Sequence, residues 1–344
     1  MLTDKLPGVA ALLLAGLAAL LLFPLFGSAF YVQLVAKIMI LAVFAMSLNL
    51  LVGFTGLVSL GHAAFYGLAA YMLVFLSPEF EAAGFWWTLG AAVLASAGAA
   101  LVIGVFVLRT TGIYFIMVTL AFAQMLYYLF HDGQFAGGSD GVYIYFKPDA
   151  TLFGFQPFDL ENQQHFYYVA LGVMVLAYLL LRVILQSPFG HVVAGIRTNE
   201  HRMRSLGYPT FRYKLASFVI AGALAGVSGY LSAAQFGFVN PELMGWHVSG
   251  EVLMMVILGG MGSVFGPILG AFSIVLLEEL FADLTKHWLL LMGGFIIMTV
   301  LVLPHGLSGL LASALSRVGA GRRKPVPETG PPGAAPAAEQ GGRQ

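Results

Sequence analysis

Residues 187–214 read SPFGHVVAGIRTNEHRMRSLGYPTFRYK and separate two long apolar runs. Five of these residues are basic, namely Arg197, Arg202, Arg204, Arg212 and Lys214. In membrane proteins, lysine and arginine concentrate in the loops on the cytoplasmic side. This basic segment therefore predicts a cytoplasmic loop where a soluble partner can bind, and it sets the direction in which the flanking apolar runs cross the bilayer.

The chain outside this segment is strongly apolar. Of its 344 residues, 59% are hydrophobic and only 9% are charged, whereas about 25% of the residues in a soluble domain are charged. This composition indicates an integral membrane protein. The chain has no cysteine, which excludes disulfides, thiolate catalysis and cysteine-ligated metal sites.

Apolar runs long enough to cross a bilayer, about 20 residues each, fill most of the sequence. Predicted spans lie at residues 6–26, 30–52, 62–77, 87–108, 112–130, 165–186, 214–234, 248–260, 266–282 and 286–304. The two spans of region 248–282 are short because glycines interrupt it. The predicted fold class is an all-α polytopic membrane protein with about ten transmembrane helices, some of them broken by glycine.

The bias of lysine and arginine orients these spans. With the N-terminus inside, most basic residues lie on the inner side and most acidic residues on the outer side, so both termini are expected to be cytoplasmic. The chain then divides into an N-terminal span at 1–29, a membrane domain at 30–310 and a tail at 319–344. The tail is rich in Gly, Pro and Ala and is expected to be disordered.

The basic segment predicts one short amphipathic helix, residues 190–207, beneath the membrane. The segment opens with Ser187, a preferred N-cap residue, and with Pro188, which suits the first position of a helix. Gly207 suits the C-terminal cap. The apolar residues of the helix fall on roughly one helical face, away from the arginines. They are Val193, Ile196, Met203 and Leu206.

Two interpretations of this helix remain open. It is either an interfacial helix whose arginines hold anionic headgroups or a coupling helix that docks on a cytoplasmic ATPase. Glu200 favours the coupling helix, because a lipid-seeking helix gains nothing from an acid there. The chain has no Gly-Lys dipeptide and hence no phosphate-binding G-x-x-x-x-G-K-[ST] loop, so any ATP is expected to bind another polypeptide.

Glycine-rich sequence inside apolar runs is a second feature. Residues 53–67 read GFTGLVSLGHAAFYG, and a looser echo, GGMGSVFGP, occupies residues 259–267. Paired glycine-interrupted segments in the two halves of a transporter indicate its translocation pathway, although simple small-residue packing is the alternative. The candidate pathway residues are Asn49, Gly53, Gly56, Ser59, Gly61, His62, Gly259, Gly260, Gly262 and Ser263.

Ionisable side chains inside spans are costly and often functional. Lys37 lies in the second span and is expected to extend to the outer interface. The acidic residues near span ends are expected to be hydrated; they are Glu251, Glu278 and Glu279. Buried amides are expected to make interhelical hydrogen bonds; they are Asn49, Gln124 and Gln235.

A series of motifs in fixed order resembles the M-type permease of bacterial branched-chain amino acid ABC importers. The motifs are AMSLNLLVG at 45–53, the run at 53–67, TGIYF at 111–115, GGSDG at 137–141, SPFG at 187–190, IRTNE at 196–200, LG at 206–207, YK at 213–214 and LGGMGS at 258–263. The resemblance covers roughly residues 30–305.

The resemblance implies a fold like that of type II ABC importers in a bacterial inner membrane, with 30–310 as the permease domain. It implies a heterodimer with a second homologous permease, two cytoplasmic ATPase subunits and an extracytoplasmic solute-binding protein. No catalytic residue, cofactor or metal site is expected on this chain itself.

The resemblance also assigns an ATPase-coupling role to the loop at 187–214. The general importer motif is an acidic residue followed six positions later by glycine, and counting back from Gly207 reaches His201, one place after Glu200. The coupling residues are expected to be Arg197, Asn199, Glu200, His201, Arg204 and Gly207.

The outer loop at 131–164 contains the turn-forming residues Gly137, Gly138, Ser139, Asp140 and Gly141. These residue types suit tight turns, which is one interpretation of the loop. The other is that the loop is where a binding protein docks or where substrate enters.

Two further alternatives concern function. Relatives that import urea, amides or other small polar solutes share most of these motifs, so the exact solute stays open. An ion-coupled secondary transporter is the other alternative, but no site for a coupling ion is evident. An intramembrane enzyme would need a motif such as H-E-x-x-H, which the sequence lacks.

Overall fold

The computed structural model describes residues 7–78, 80–151, 156–303 and 306–310, with side chains from residue 14 onward. The predicted tail at 319–344 and both chain termini lie outside the described residues. The described residues are almost wholly helical, with one two-stranded pairing.

The named α-helices and strands follow in chain order. The helices are α1 Pro7–Phe26, α2 Ala29–Asn49, α3 Ala63–Leu76, α4 Phe85–Val107, α5 Ile113–His131, α6 Gln163–Gln186, α7 Pro188–Thr198, α8 Glu200–Ser205, α9 Thr210–Phe236, α10 Trp246–Gly259, α11 Gly266–Leu284 and α12 Trp288–Val302. The strands are β1 Val142–Tyr143 and β2 Phe238–Val239, which pair antiparallel.

Each of the ten predicted spans coincides with one of these helices, α1 to α6 or α9 to α12. By length and composition alone, five of the helical stretches are long and apolar enough to cross a membrane, namely Ala29–Thr55, Phe85–Val107, Ile113–His131, Gln163–Gln186 and Thr210–Phe236. The all-helical polytopic class is therefore confirmed, while the count of ten crossings stays a prediction. The interrupted region 248–282 forms two helices, α10 and α11.

Helix α2 is the centre of the molecule. Of its most apolar window, which runs on into the π-helical turn Leu50–Thr55, 94% is buried, against 33% for α4 and 22% for α5. It packs against α6, α9, α10 and α11. A helix that is apolar all round must be covered on every side, and in α2 the covering comes mostly from the protein itself.

Small residues let α9 approach α3 and α4 closely. A Cβ added at Gly226 would lie 2.8 Å from Ser96 Cβ, and one added at Gly229 would clash with the backbone carbonyl of Tyr66. On α9, the Ser228 hydroxyl also donates a hydrogen bond of 2.7 Å to the backbone carbonyl of Ile40 in α2. Close backbone contact through glycine and serine is how helices associate where no hydrophobic force draws them together.

The molecule has two ends. The basic end holds α7, α8 and the start of α9, and the strand end holds β1, β2 and the outer loop. Helix α9 has 27 residues and at 1.5 Å per residue is about 40 Å long, so it separates the two ends by about that distance.

Candidate functional site

The basic segment forms two helices, so the prediction of one continuous helix over 190–207 is wrong. Helix α7 ends at Thr198, and α8 begins at Glu200. Between them Asn199 is extended, with φ −159° and ψ 99°, and its side chain accepts a hydrogen bond from the Arg202 backbone N–H at 2.9 Å. Asparagine is a preferred N-cap, so it starts a new helix here.

Both ends of this helix pair fall where the sequence places them. Ser187 is at the N-cap position of α7 with Pro188 next to it, although its hydroxyl bonds back to the Ile184 carbonyl and not to α7. Gly207 has φ +87°. Its N–H bonds to Arg204 at 2.9 Å and the next N–H, of Tyr208, bonds to Met203 at 3.1 Å, which is the glycine-dependent Schellman ending.

The apolar face of the helix pair is shorter than predicted. Val193 and Ile196 are buried, but Met203 is half-buried and Leu206 is 66% exposed. Because the chain breaks at Asn199, α7 and α8 are separate helices. Met203 and Leu206 therefore do not share the buried face of Val193 and Ile196.

The Glu200 carboxylate is paired with residues of the same chain. It pairs with Arg204 at 2.6 Å and with Lys214 at 3.0 Å, and the Thr210 hydroxyl donates to it at 3.1 Å. Burial raises the pKa of Glu200, but the hydrogen bonds from Lys214, Arg204 and Thr210 and the lysine charge outweigh it and hold the pKa below its ordinary value. Glu200 therefore fastens α8 to the start of α9.

Arg197 connects the basic end to the first glycine-rich segment. Its guanidinium Nη1 donates to the backbone carbonyl of Gly53. Its side chain also passes Gly56, where an added Cβ would lie 3.1 Å from the Arg197 Cγ. A charge-assisted hydrogen bond of this kind is roughly twice as strong as a neutral one, so α7 is tied to the end of the central helix.

The first glycine-rich segment is a broken helix, as predicted. Helix α2 continues as the π-helical turn Leu50–Thr55 and ends at Gly56, and α3 starts only at Ala63. Ser59 and Gly61 between them are buried, and an added Cβ at Gly61 would clash with the Thr119 carbonyl. Thr119 lies in α5, so α5 covers this irregular backbone.

The two glycine-rich segments meet each other. The Asn49 amide donates to the Ser263 carbonyl at 2.8 Å and accepts from the Gly262 N–H at 3.4 Å. A Cβ added at Gly53 would clash with Asn49 Oδ1 and lie 2.8 Å from the Gly262 nitrogen. Four of the predicted pathway residues, Asn49, Gly53, Gly262 and Ser263, thus form the glycine-rich contact region, although their role in transport stays a prediction.

The second glycine-rich segment is the turn between α10 and α11. Gly260 has φ +106°, and an added Cβ at Gly259 would clash with the Gly266 carbonyl. The Ser263 hydroxyl accepts from the Gly266 N–H at 2.8 Å. The glycines let the two helices reverse direction within a few residues, beside Asn49.

His62 is fully buried at the start of α3. Its Nε2 lies 2.8 Å from the Ser47 hydroxyl, its ring stacks on Phe44, and its Nδ1 has no partner among the described residues. The next N–H, of Ala63, bonds to the Ser249 hydroxyl at 2.9 Å. Ser249 was not singled out from the sequence, because one serine in an apolar run forms no pattern.

The outer-loop residues form tight turns at the strand end. Gly137, Gly138 and Gly141 all have positive φ, and a Cβ at Gly141 would lie 2.5 Å from the Val239 carbonyl. Ser139 and Asp140 are exposed, and the Ser139 hydroxyl donates a hydrogen bond to the Asp140 carboxylate. This geometry fits the turn interpretation, and the exposed pair leaves docking or entry as a prediction.

Three charged side chains from three different helices interact electrostatically. Lys37 of α2, Glu251 of α10 and Glu278 of α11 are half-buried, and Glu251 interacts electrostatically with the other two. The sequence places Lys37 inside a span and the two glutamates near span ends, but their interaction depends on how α2, α10 and α11 pack. In the described part of the chain, no group of three histidine or acidic side chains is arranged to hold a metal ion.

A family model described as "Branched-chain amino acid transport system / permease component" matches residues 30–302. The chain is 34% identical over 316 residues to the high-affinity branched-chain amino acid transport system permease protein LivM of Salmonella typhimurium, covering 86% of this chain and 74% of the relative. It is 34% identical over 297 residues to LivM of Escherichia coli, covering 80% and 69%.

A more distant relative is the autoinducer 2 import system permease protein LsrC of Photorhabdus luminescens, 26% identical over 162 residues, which cover 45% of this chain and 47% of the relative. No solved structure gives a significant match. On the family match and the two LivM relatives, the chain belongs to the family of branched-chain amino acid transport system permease components.

Proposed function

We propose that this chain is a membrane-spanning permease subunit of an ATP-driven importer and that its solutes are branched-chain amino acids. Family membership supports the class of protein, and the two LivM relatives, each matched over more than two thirds of its length, support the solute. The structural observation that carries the coupling is the hydrogen bond from Arg197 in the basic segment to Gly53 in the broken central helix.

The assembly that fits this role contains other chains. They are a second homologous permease, two cytoplasmic ATPase subunits and an extracytoplasmic solute-binding protein. The chain lies in a bacterial inner membrane with ten crossings, both termini and the basic end in the cytoplasm, and the strand end outside. The permease itself is not an enzyme; it converts the movement of the ATPases into alternating access.

The coupling residues have three roles in this proposal. Asn199, Glu200 and Gly207 shape the helix pair, since they cap α8, fasten it to α9 and end it. His201 and Arg204 present exposed surface to an ATPase. Arg197 then passes the displacement of α7 to Gly53 and so to the glycine-rich contact region.

Reconstitution tests this function. The chain is co-purified with the permease, ATPases and binding protein encoded beside its gene, placed in liposomes, and assayed for labelled leucine uptake. We expect uptake only with ATP on the ATPase side and binding protein on the other, with isoleucine and valine competing. Uptake by the chain alone under a proton or sodium gradient would instead identify a secondary transporter, and uptake of urea or an amide without leucine would correct the solute.

A further inference from the structure

A pocket of about 160 Å³ opens at the strand end, away from the glycine-rich contact region. It lies where the starts of α2 and α6 and the end of α9 meet the outer loop. Its lining includes Gln33, Lys147, Glu161, Phe166 and Gln235. Pockets for drug-sized ligands measure about 300–1,000 Å³, so this one suits only a small solute or its polar head group.

The pocket holds one positive and one negative side chain that do not neutralise each other. Lys147 is half-buried with its Nζ 5.6 Å from the centre of the Phe166 ring. Neither Lys147 nor Glu161 has an ion-pair partner within 4.0 Å among the described residues. The face of an aromatic ring attracts an ammonium group, so the pocket lining offers a half-buried cation and an exposed carboxylate, neither engaged in an ion pair within the described residues.

Gln235 adds a buried acceptor with no donor. It is 7% exposed, and its Nε2 donates to the Gln33 carbonyl at 2.8 Å. That bond sets which amide atom is the oxygen, and this Oε1 has no hydrogen-bond partner in the described structure. Leaving a buried acceptor unpaired is costly, and a ligand with N–H donors would remove that cost.

We propose that this pocket binds the head group of a free α-amino acid. Lys147 takes the α-carboxylate, while Glu161 and the Gln235 Oε1 take the α-ammonium. These three groups contact only the head group, so the pocket recognises the zwitterion common to all amino acids. This inference rests on the proposed function, which puts the strand end on the outer face, where solute arrives.

Direct binding tests the charges. The assembled transporter is placed in nanodiscs without binding protein, and equilibrium binding of labelled L-leucine is measured for Lys147→Met and Glu161→Gln. Loss of one charged contact should weaken binding about tenfold or more. The matched controls are Lys286→Met and Glu242→Gln, whose side chains are exposed and away from the pocket, and they should bind as the unaltered chain does. Equal affinity in all four variants, or no saturable binding to the unaltered chain, overturns the proposal.

Thiol labelling tests whether the pocket recognises both charges of the amino acid head group. The chain has no cysteine, so Gln33→Cys introduces a single thiol at the pocket; Gln235 uses only the backbone carbonyl of Gln33. L-leucine should protect this thiol from a charged thiol reagent, whereas leucinamide, which lacks the carboxylate, and 4-methylpentanoate, which lacks the ammonium, should not at the same concentration. No protection by leucine, or equal protection by all three, refutes the head-group site. ATP-driven leucine uptake in the same preparation shows separately whether the proposed function stands.

Discussion

At the residue scale, Glu200 is a structural carboxylate whose charge is used within the chain. Its ion pairs with Arg204 and Lys214 join α8 to α9. Because its pKa in the folded chain lies below the ordinary value of 4.5, these contacts add stability that is complete above pH about 4.5 and is lost as the pH falls through the folded pKa. The basic end is therefore expected to loosen in acid.

Hydrogen exchange between pH 6 and pH 3 measures this loosening. After correction for the intrinsic pH dependence of exchange, amides in 199–214 should lose protection below pH about 4.5. Glu200→Gln should show low protection already at pH 6 and little further change. Helix α4, Phe85–Val107, contains no acidic residue and serves as the internal control. A pH response that is the same in the variant would contradict the assignment.

Single polar residues were only partly predictable. Asn49 is expected to make an interhelical hydrogen bond, and its side-chain amide donates one to the Ser263 carbonyl. Gln235 was expected to do the same, and its bond to Gln33 agrees. The Glu200 contacts were not foreseen, because charge pairing between residues 200 and 214 depends on the angle between α8 and α9, which hydrophobic periodicity does not specify.

At the scale of helices, the contact between the π-helical turn and the α10–α11 turn requires glycine at position 53. Gly53→Ala should reduce thermal stability and abolish leucine uptake, since its Cβ would clash with Asn49 Oδ1 and crowd the Gly262 nitrogen. Overpacking a close-packed site costs about 1–3 kcal/mol. Thermal unfolding of the purified chain and uptake in liposomes measure the two effects.

Gly172→Ala is the matched control for this substitution. Gly172 lies within α6, and an added Cβ there meets nothing within 4 Å. Alanine is a better helix former than glycine by up to about 1 kcal/mol, so this variant should melt at the same or a higher temperature and transport normally. Equal melting and transport in the two variants would show that the glycine contact is not needed.

Helix positions were the most predictable part of the fold. Hydropathy marks long apolar helices, since crossing a bilayer takes about 20 residues, and all ten predicted spans correspond to helices, although only five helical stretches are long and apolar enough by this measure. The break at Asn199 was missed because the surrounding polar pattern suits one helix as well as two. Only the extended backbone of Asn199 and its bond to Arg202 distinguish them.

At the scale of the whole molecule, the proposed topology has the basic end and the strand end on opposite sides. Single cysteines replacing Tyr208 and Tyr145, both exposed, test it in a chain that has no other thiol. In intact cells a membrane-impermeant reagent should label the Tyr145 variant and spare the Tyr208 variant, and permeabilised cells should label both. Labelling of both in intact cells would require a different number of crossings.

The arrangement of the helices was the least predictable. The sequence suggested that the two glycine-rich segments were related, but it did not place Gly262 beside Asn49 or Arg197 against Gly53. Nor did it bring Lys37, Glu251 and Glu278 together. These contacts join residues far apart in the chain, and only helix packing brings them near each other.

The number of ATP molecules hydrolysed per leucine imported tests the coupling claim most directly. It is measured in reconstituted transporter carrying Arg197→Ala, which removes the bond to Gly53. The control is Arg202→Ala, since the Arg202 side chain is exposed and makes no hydrogen bond within the described chain. We predict that Arg197→Ala still assembles with the ATPases and hydrolyses ATP but imports far less leucine, so the ratio rises, while Arg202→Ala keeps the original ratio. An unchanged ratio in Arg197→Ala would contradict transmission through Arg197 and Gly53.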